Sequence, residues 1–180
     1  MIKKIIFNFI LILLIIVLQL SFINNFFSPI KHFNLVLSIL IFIALIFNYN
    51  LALIQGLIIG FILDVVSMAS FGQYLMAIFI TLFMTNLLLN SVFTNKSMYT
   101  LMSLGVIGTI LYNFLIWFFK LAAFYFKLTD LKLFFTKFTL FDLGWQVVLN
   151  LIFLTLCFII IWFTSNILKS QFLSRKSAIK

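Results

Sequence analysis

Glutamate is absent from this chain, and only three acids, Asp64, Asp130 and Asp142, stand against twelve lysines and arginines. Histidine and cysteine occur once each, as His32 and Cys157. That inventory leaves no paired carboxylates, no nucleophile with its base and no metal cluster, so ordinary catalysis is not expected and no cofactor or metal site is assigned. A lone cysteine excludes an intrachain disulfide, and the apolar run around Cys157 makes it an inert buried thiol. His32 sits beside Lys31 and Phe33 at a helix start, with no second histidine or acid nearby in sequence, and reads as an interface residue. Proline is also nearly missing, and the single Pro29 marks a turn rather than any repeated motif.

What the chain has instead is apolar length. Of 180 residues, 66% are hydrophobic and 8% charged, and the mean hydropathy is +1.32. A soluble domain of this size has too little interior for that surface, so lipid must replace water as solvent. Backbone groups in lipid are satisfied only in helices or closed barrels. Barrel strands alternate in short segments, whereas the apolar runs here are long and unbroken. The reading is an all-α integral membrane protein. The formal net charge of +9 does not indicate nucleic acid, because most cations lie at helix ends and in the tail, where they set orientation and meet anionic lipid headgroups.

Six helices are expected in one transmembrane domain over residues 1–168, at about 5–22, 32–47, 51–66, 71–92, 98–119 and 143–168. Met1-Ile2-Lys3-Lys4 leads the first as an uncleaved span rather than a signal peptide, since no small-residue cleavage site follows. Asn24, Asn25, Ser28 and Pro29 form the next turn, and Thr94-Asn95-Lys96-Ser97 a later one. The second and third runs are shorter than the roughly 20 residues of an ordinary span and suit short, steep helices or a hairpin inside the bundle. Residues 120–142, which mix lysines, Asp130, Asp142 and phenylalanines, read as an amphipathic segment on the membrane surface. Asp142 precedes a helix and favours its N-terminal dipole end. Residues 169–180 form a flexible, basic tail. Six crossings put both termini in the cytoplasm, with seven cations inside and five outside. That bias runs in the expected direction.

Asp64 is the only acid in the apolar stretch that ends near Phe119, and an intramembrane carboxylate needs a reason. Gly56, Gly60 and Asp64 recur every four residues, so a helix aligns them on one stripe, with two glycines admitting a close neighbour and the acid at the end of the groove. Gln55, Gln73, Asn86, Asn90 and Asn113 are polar companions able to share the bundle interior, and Asn86 and Asn90 lie on one face of the fourth helix. Three readings stay open for Asp64: a structural acid near a helix end, a docking site for a partner's helix, and a proton- or substrate-linked acid.

The pattern Gly56-x3-Gly60-x3-Asp64-x7-Gly72, followed by a polar-dotted helix, resembles the core signature of the bacterial rod shape-determining protein MreD family. The lysine-led first helix, the brief helices before the acid and the basic tail are similar too. The likeness covers most of the chain, with its specific part within residues 51–90. It implies a non-enzymatic component of the cell inner membrane, part of the elongation machinery (the elongasome) that directs peptidoglycan synthesis along the side wall. Its implied direct partner is MreC, with MreB, RodA and the elongation transpeptidase as complex members. The resemblance further implies a six-helix bundle similar to the substrate-binding components of energy-coupling-factor transporters. That likeness supplies an alternative function, the substrate-binding subunit of a vitamin transporter. Gly56, Gly60, Asp64 and Gly72 become the expected MreC-docking or structural positions.

Overall fold

Lipid offers the backbone no hydrogen bonds, and the long elements of this chain are accordingly helices. The computed structural model describes residues 12–28, 30–67, 72–93, 97–126 and 140–177, among which there is no strand. Helix α1 (Ile12–Ser21) closes in a π-helical turn at Leu18–Phe22. It is followed by α2 (Leu35–Ile46), α3 (Tyr49–Val66), α4 (Gln73–Ser91), α5 (Met98–Tyr125) and α6 (Leu140–Ser177). Four of these are long and apolar enough to cross a membrane: α3, α4, α5 and the Leu140–Thr164 stretch of α6. Trp145 and Trp162 face outward on α6 about 25 Å apart along its axis, the spacing of two interfacial aromatic belts.

Local chemistry sets most of the helix starts. Asn34 caps α2 by accepting from Leu37 N at 3.0 Å. Asn48 caps α3 through Asn50 N, and Ser97 caps α5 through Thr100 N. Each supplies the oxygen that the first-turn amides lack. Helix α1 follows the amphipathic rule, with Ile12, Ile15 and Ile16 buried while Leu13, Leu14 and Val17 face out. Helix α2, at 12 residues shorter than the four long helices, is the most enclosed, packing against α3, α4, α5 and α6. Its Leu37, Leu40, Ile41 and Leu45 join Ile59, Ile78, Leu82, Leu101 and Leu154 as the fully buried centre.

Several expected boundaries move. The fifth helix does not stop near Phe119 but runs to Tyr125, because residues 120–125 stay predominantly apolar and Lys120 alone does not break a helix. The last helix begins at Leu140 rather than 143, so the expected surface segment loses both its ends. It also continues to Ser177, so residues 169–177 of the expected flexible tail are helical. The second helix starts at Leu35 instead of His32, which lies in a separate 3-10 turn, Ile30–His32. Lys3 and Lys4, Pro29, the turn at 94–96, residues 127–139 and residues 178–180 lie outside the described residues.

Candidate functional site

The start of α4 has no capping side chain of its own. Its N-cap is Gly72, with φ at +90°, in the left-handed region that glycine enters without penalty. The missing acceptor comes from α3 instead. Asp64 Oδ1 accepts from Tyr74 N at 2.7 Å and Oδ2 from Leu75 N at 3.1 Å. Both oxygens of a carboxylate that is only 3% exposed are thus spent on first-turn amides of α4. The positive end of the helix dipole faces the negative group, which is how the charge is tolerated inside the bundle. A Cβ at 72 would meet no atom within 4 Å, so the glycine requirement is conformational. Gly72→Ala is therefore expected to lower stability by about 1–2 kcal/mol, the left-handed penalty, as measured by thermal unfolding in detergent.

The two glycines complete the junction. A Cβ on Gly60 would stand 2.7 Å from Leu75 Cα, so α3 and α4 touch backbone to backbone there. A Cβ on Gly56 would meet Leu82 Cδ1 at 2.7 Å and Ile78 Cγ2 at 3.0 Å. Of the docking and structural readings of the stripe, this arrangement is the structural one: α4 of the same chain packs on Gly56 and Gly60 and is capped by Asp64. The same close approach recurs at Gly108, which receives Ile41 of α2, and at Gly105, which receives Leu154 of α6.

A second polar cluster lies at the same end of the bundle, where α2 and α6 begin. Asn150, 1% exposed, accepts from Asn34 N and donates Nδ2 to Thr109 Oγ1 at 3.0 Å. Thr109 donates in turn to Gly105 O. One turn along, Asn113 Nδ2 donates to Thr109 O and to Gln146 Oε1. Gln73 Nε2 donates to Ile116 O. Gln19 of α1 clamps the start of α2, accepting from Leu35 N and donating to Phe33 O. Sequence reasoning placed Asn113 and Gln73 in the interior but missed Gln146, Asn150, Asn34, Gln19 and Thr109. The spacing of Gln146 and Asn150, four apart on one helix, was a readable signal. His32 also gains a partner the sequence did not suggest: its Nε2 lies 3.3 Å from Asp142 Oδ1, joining the 3-10 turn to the first turn of α6.

Three expected interior residues stand apart from this network. Gln55 and Asn86 are half-buried, and Asn90 is exposed; among the described residues none of the three side chains has a hydrogen-bond partner. Asn90 is thereby corrected from an interior to a surface position, one residue before α4 ends at Ser91. Asn86 borders a cleft between α2, α4 and α5, lined by Ile41, Ala44, Leu45, Thr85, Leu89 and Leu104. Its free volume of about 10 Å³ admits one water, against several hundred Å³ for a vitamin-sized ligand. Among the described residues no three His, Cys, Asp or Glu side chains come together as a metal site. Compared with known proteins, the chain matches no family profile, no curated protein and no solved structure.

Proposed function

We propose that this chain is a membrane scaffold of the MreD type, binding MreC and helping to control lateral peptidoglycan synthesis and cell shape in the bacterial inner membrane. The observation that carries the reading is that Gly56, Gly60, Asp64 and Gly72, the residues on which the resemblance rests, all serve one structural junction between α3 and α4. A signature made of one fold-determining lock is what a scaffold family has reason to keep. In this reading six helices cross the membrane, both termini are cytoplasmic, and the polar end of the bundle faces outward. The protein performs no chemistry of its own; it holds MreC and passes its state to RodA and the elongation transpeptidase, alongside MreB.

The test is depletion in the native host, combined with capture of MreC from solubilised membranes. Rounded cells, delocalised wall synthesis and recovery of MreC with the tagged protein are the expected results. Normal shape on depletion, together with vitamin binding by the purified protein, overturns the scaffold in favour of a transporter subunit. Neighbouring genes discriminate as well: genes for MreB and MreC favour the scaffold, genes for an ATPase and a coupling subunit favour transport.

A further inference from the structure

Two helices mark where the membrane edges lie. On α5, Tyr99 and Trp117 face outward about 27 Å apart along the axis, close to the Trp145–Trp162 spacing on α6. The hydrogen bond from Asn150 to Thr109 fixes the level of one helix against the other. From that bond Trp117 lies about 12 Å toward the polar end of the bundle and Trp145 about 8 Å, so the two tryptophans belong to one belt. Asn150 also accepts from Asn34 N, which sets the start of α2 inside the apolar slab, about 8–12 Å short of that belt.

The chain between α1 and α2 therefore runs through this edge of the membrane, and it does so in short turns. Two 3-10 turns, Ile23–Asn25 and Ile30–His32, pack on each other. His32 ties the second to Asp142, three residues before Trp145 and about 5 Å from it along α6. Both turns thus sit at the level of the belt. Their backbone pairs internally, as a site poor in water demands. Phe26 N donates to Ile23 O, Lys31 N to Phe27 O and Phe33 N to Ile30 O, while Gln19 serves Phe33 O and Leu35 N. The side chains are the reverse of what water selects. Phe26, Phe27 and Ile30 are exposed, Phe27 at 85%, and so are Leu140 and Phe141 beside Asp142. Phe141 meets Trp145 edge to face, with ring centroids 6.1 Å apart, which joins the patch to the belt itself.

Exposed apolar side chains gathered in this way mark a protein or a lipid partner. Their level decides for lipid: they continue the tryptophan belt at the height where aromatic and aliphatic side chains lie against acyl chains. Lys31, exposed in the second turn, adds a cation at the level of lipid phosphate. We propose that the two 3-10 turns and the first turn of α6 form an interfacial lipid anchor. Phe26, Phe27, Ile30, Leu140 and Phe141 insert among phospholipid acyl chains, Lys31 meets the phosphates, and the His32–Asp142 contact holds the two halves together. The anchor fastens the polar end of the bundle to one leaflet, and it holds whether the chain is a scaffold or a transporter subunit.

The experiment puts a nitroxide label on the full-length protein through Phe27→Cys or Phe141→Cys in a Cys157→Ser background. The purified protein is placed in vesicles of phosphatidylethanolamine and phosphatidylglycerol. Electron paramagnetic resonance then compares collisions with oxygen, which partitions into acyl chains, and with a water-soluble nickel chelate. Oxygen in excess at both positions is expected, as for Val148→Cys one turn deeper on the exposed face of α6. Phe26→Cys replaces any variant that does not elute as the wild type does. Nickel in excess at either position overturns the anchor, because the turns then project into water. Exclusion of both reagents overturns it in favour of a protein cover. Spin–spin broadening that fades on dilution with unlabelled protein identifies that cover as a second copy.

Discussion

Gly60→Ala is expected to be the most damaging single-methyl substitution in the bundle. Its new Cβ would lie 2.7 Å from Leu75 Cα and 3.2 Å from Leu75 N, which are backbone atoms that no rotamer change moves. The helices must separate, and overpacking of that kind costs about 1–3 kcal/mol. Alanine's better helix propensity, worth about 1 kcal/mol, offsets only part of that. Gly56→Ala is the matched control. It also brings a methyl within 2.7 Å of a neighbour, but that neighbour is the far end of the Leu82 side chain, which can rotate away. Thermal unfolding in detergent is expected to rank Gly60→Ala well below Gly56→Ala, with the latter within about 1 kcal/mol of wild type. Equal losses would show that the backbone contact does not govern the crossing.

Asp64→Leu is expected to have the largest effect of any side-chain replacement. It strands the Tyr74 and Leu75 amides at a buried helix start and removes the charge that faces the α4 dipole. Each unsatisfied buried donor costs about 1–3 kcal/mol, giving a total of about 2–6 kcal/mol for the two. Asp64→Asn keeps one acceptor and loses roughly half as much, so stability ranks Asp above Asn above Leu. Unfolding midpoints and elution profiles check the order. A proton-linked or docking acid predicts a different outcome: Asp64→Asn would leave stability intact and abolish function alone. With a structural cap, MreC capture per molecule of folded protein stays unchanged in Asp64→Asn, and that measurement separates the roles.

The Gly56–Gly60–Asp64 stripe shows how far periodicity carries. Four-residue spacing on a helix is enough to say that one side meets close-packed protein, because the helical repeat fixes which residues share a face. It does not say whose protein. A partner's helix and the chain's own α4 would leave the same trace in residues 56–64. What decided between them was Leu75, whose backbone approaches Gly60 only once α4 has folded back. Gly72 and Asp64 present the same lesson: the sequence marks a glycine and an acid eight residues apart, and the fold joins them into one helix start. Asn86, Asn90 and Asn113 carry the same expectation of an interior place, yet of the three only Asn113 finds a partner, Gln146, across the α5–α6 contact. Helix ends in the lysine-dotted region were misplaced for a related reason. Hydropathy falls where charge appears, whereas the backbone hydrogen bonds that define a helix continue through Lys120 to Tyr125.

The sequence by itself determined the solvent and the class, since 66% hydrophobic composition in long unbroken runs admits only helices in lipid. Composition and local periodicity are sums over neighbours along the chain, and they need no fold to be counted. Tertiary structure alone decided which polar groups are spent and which are free. Asp64 is consumed by α4, Asn150 by Asn34 and Thr109, and His32 is paired with Asp142, while Asn86 remains open on the cleft. Those pairings join residues from 10 to 116 positions apart, fixed by how helices cross rather than by what precedes or follows each residue.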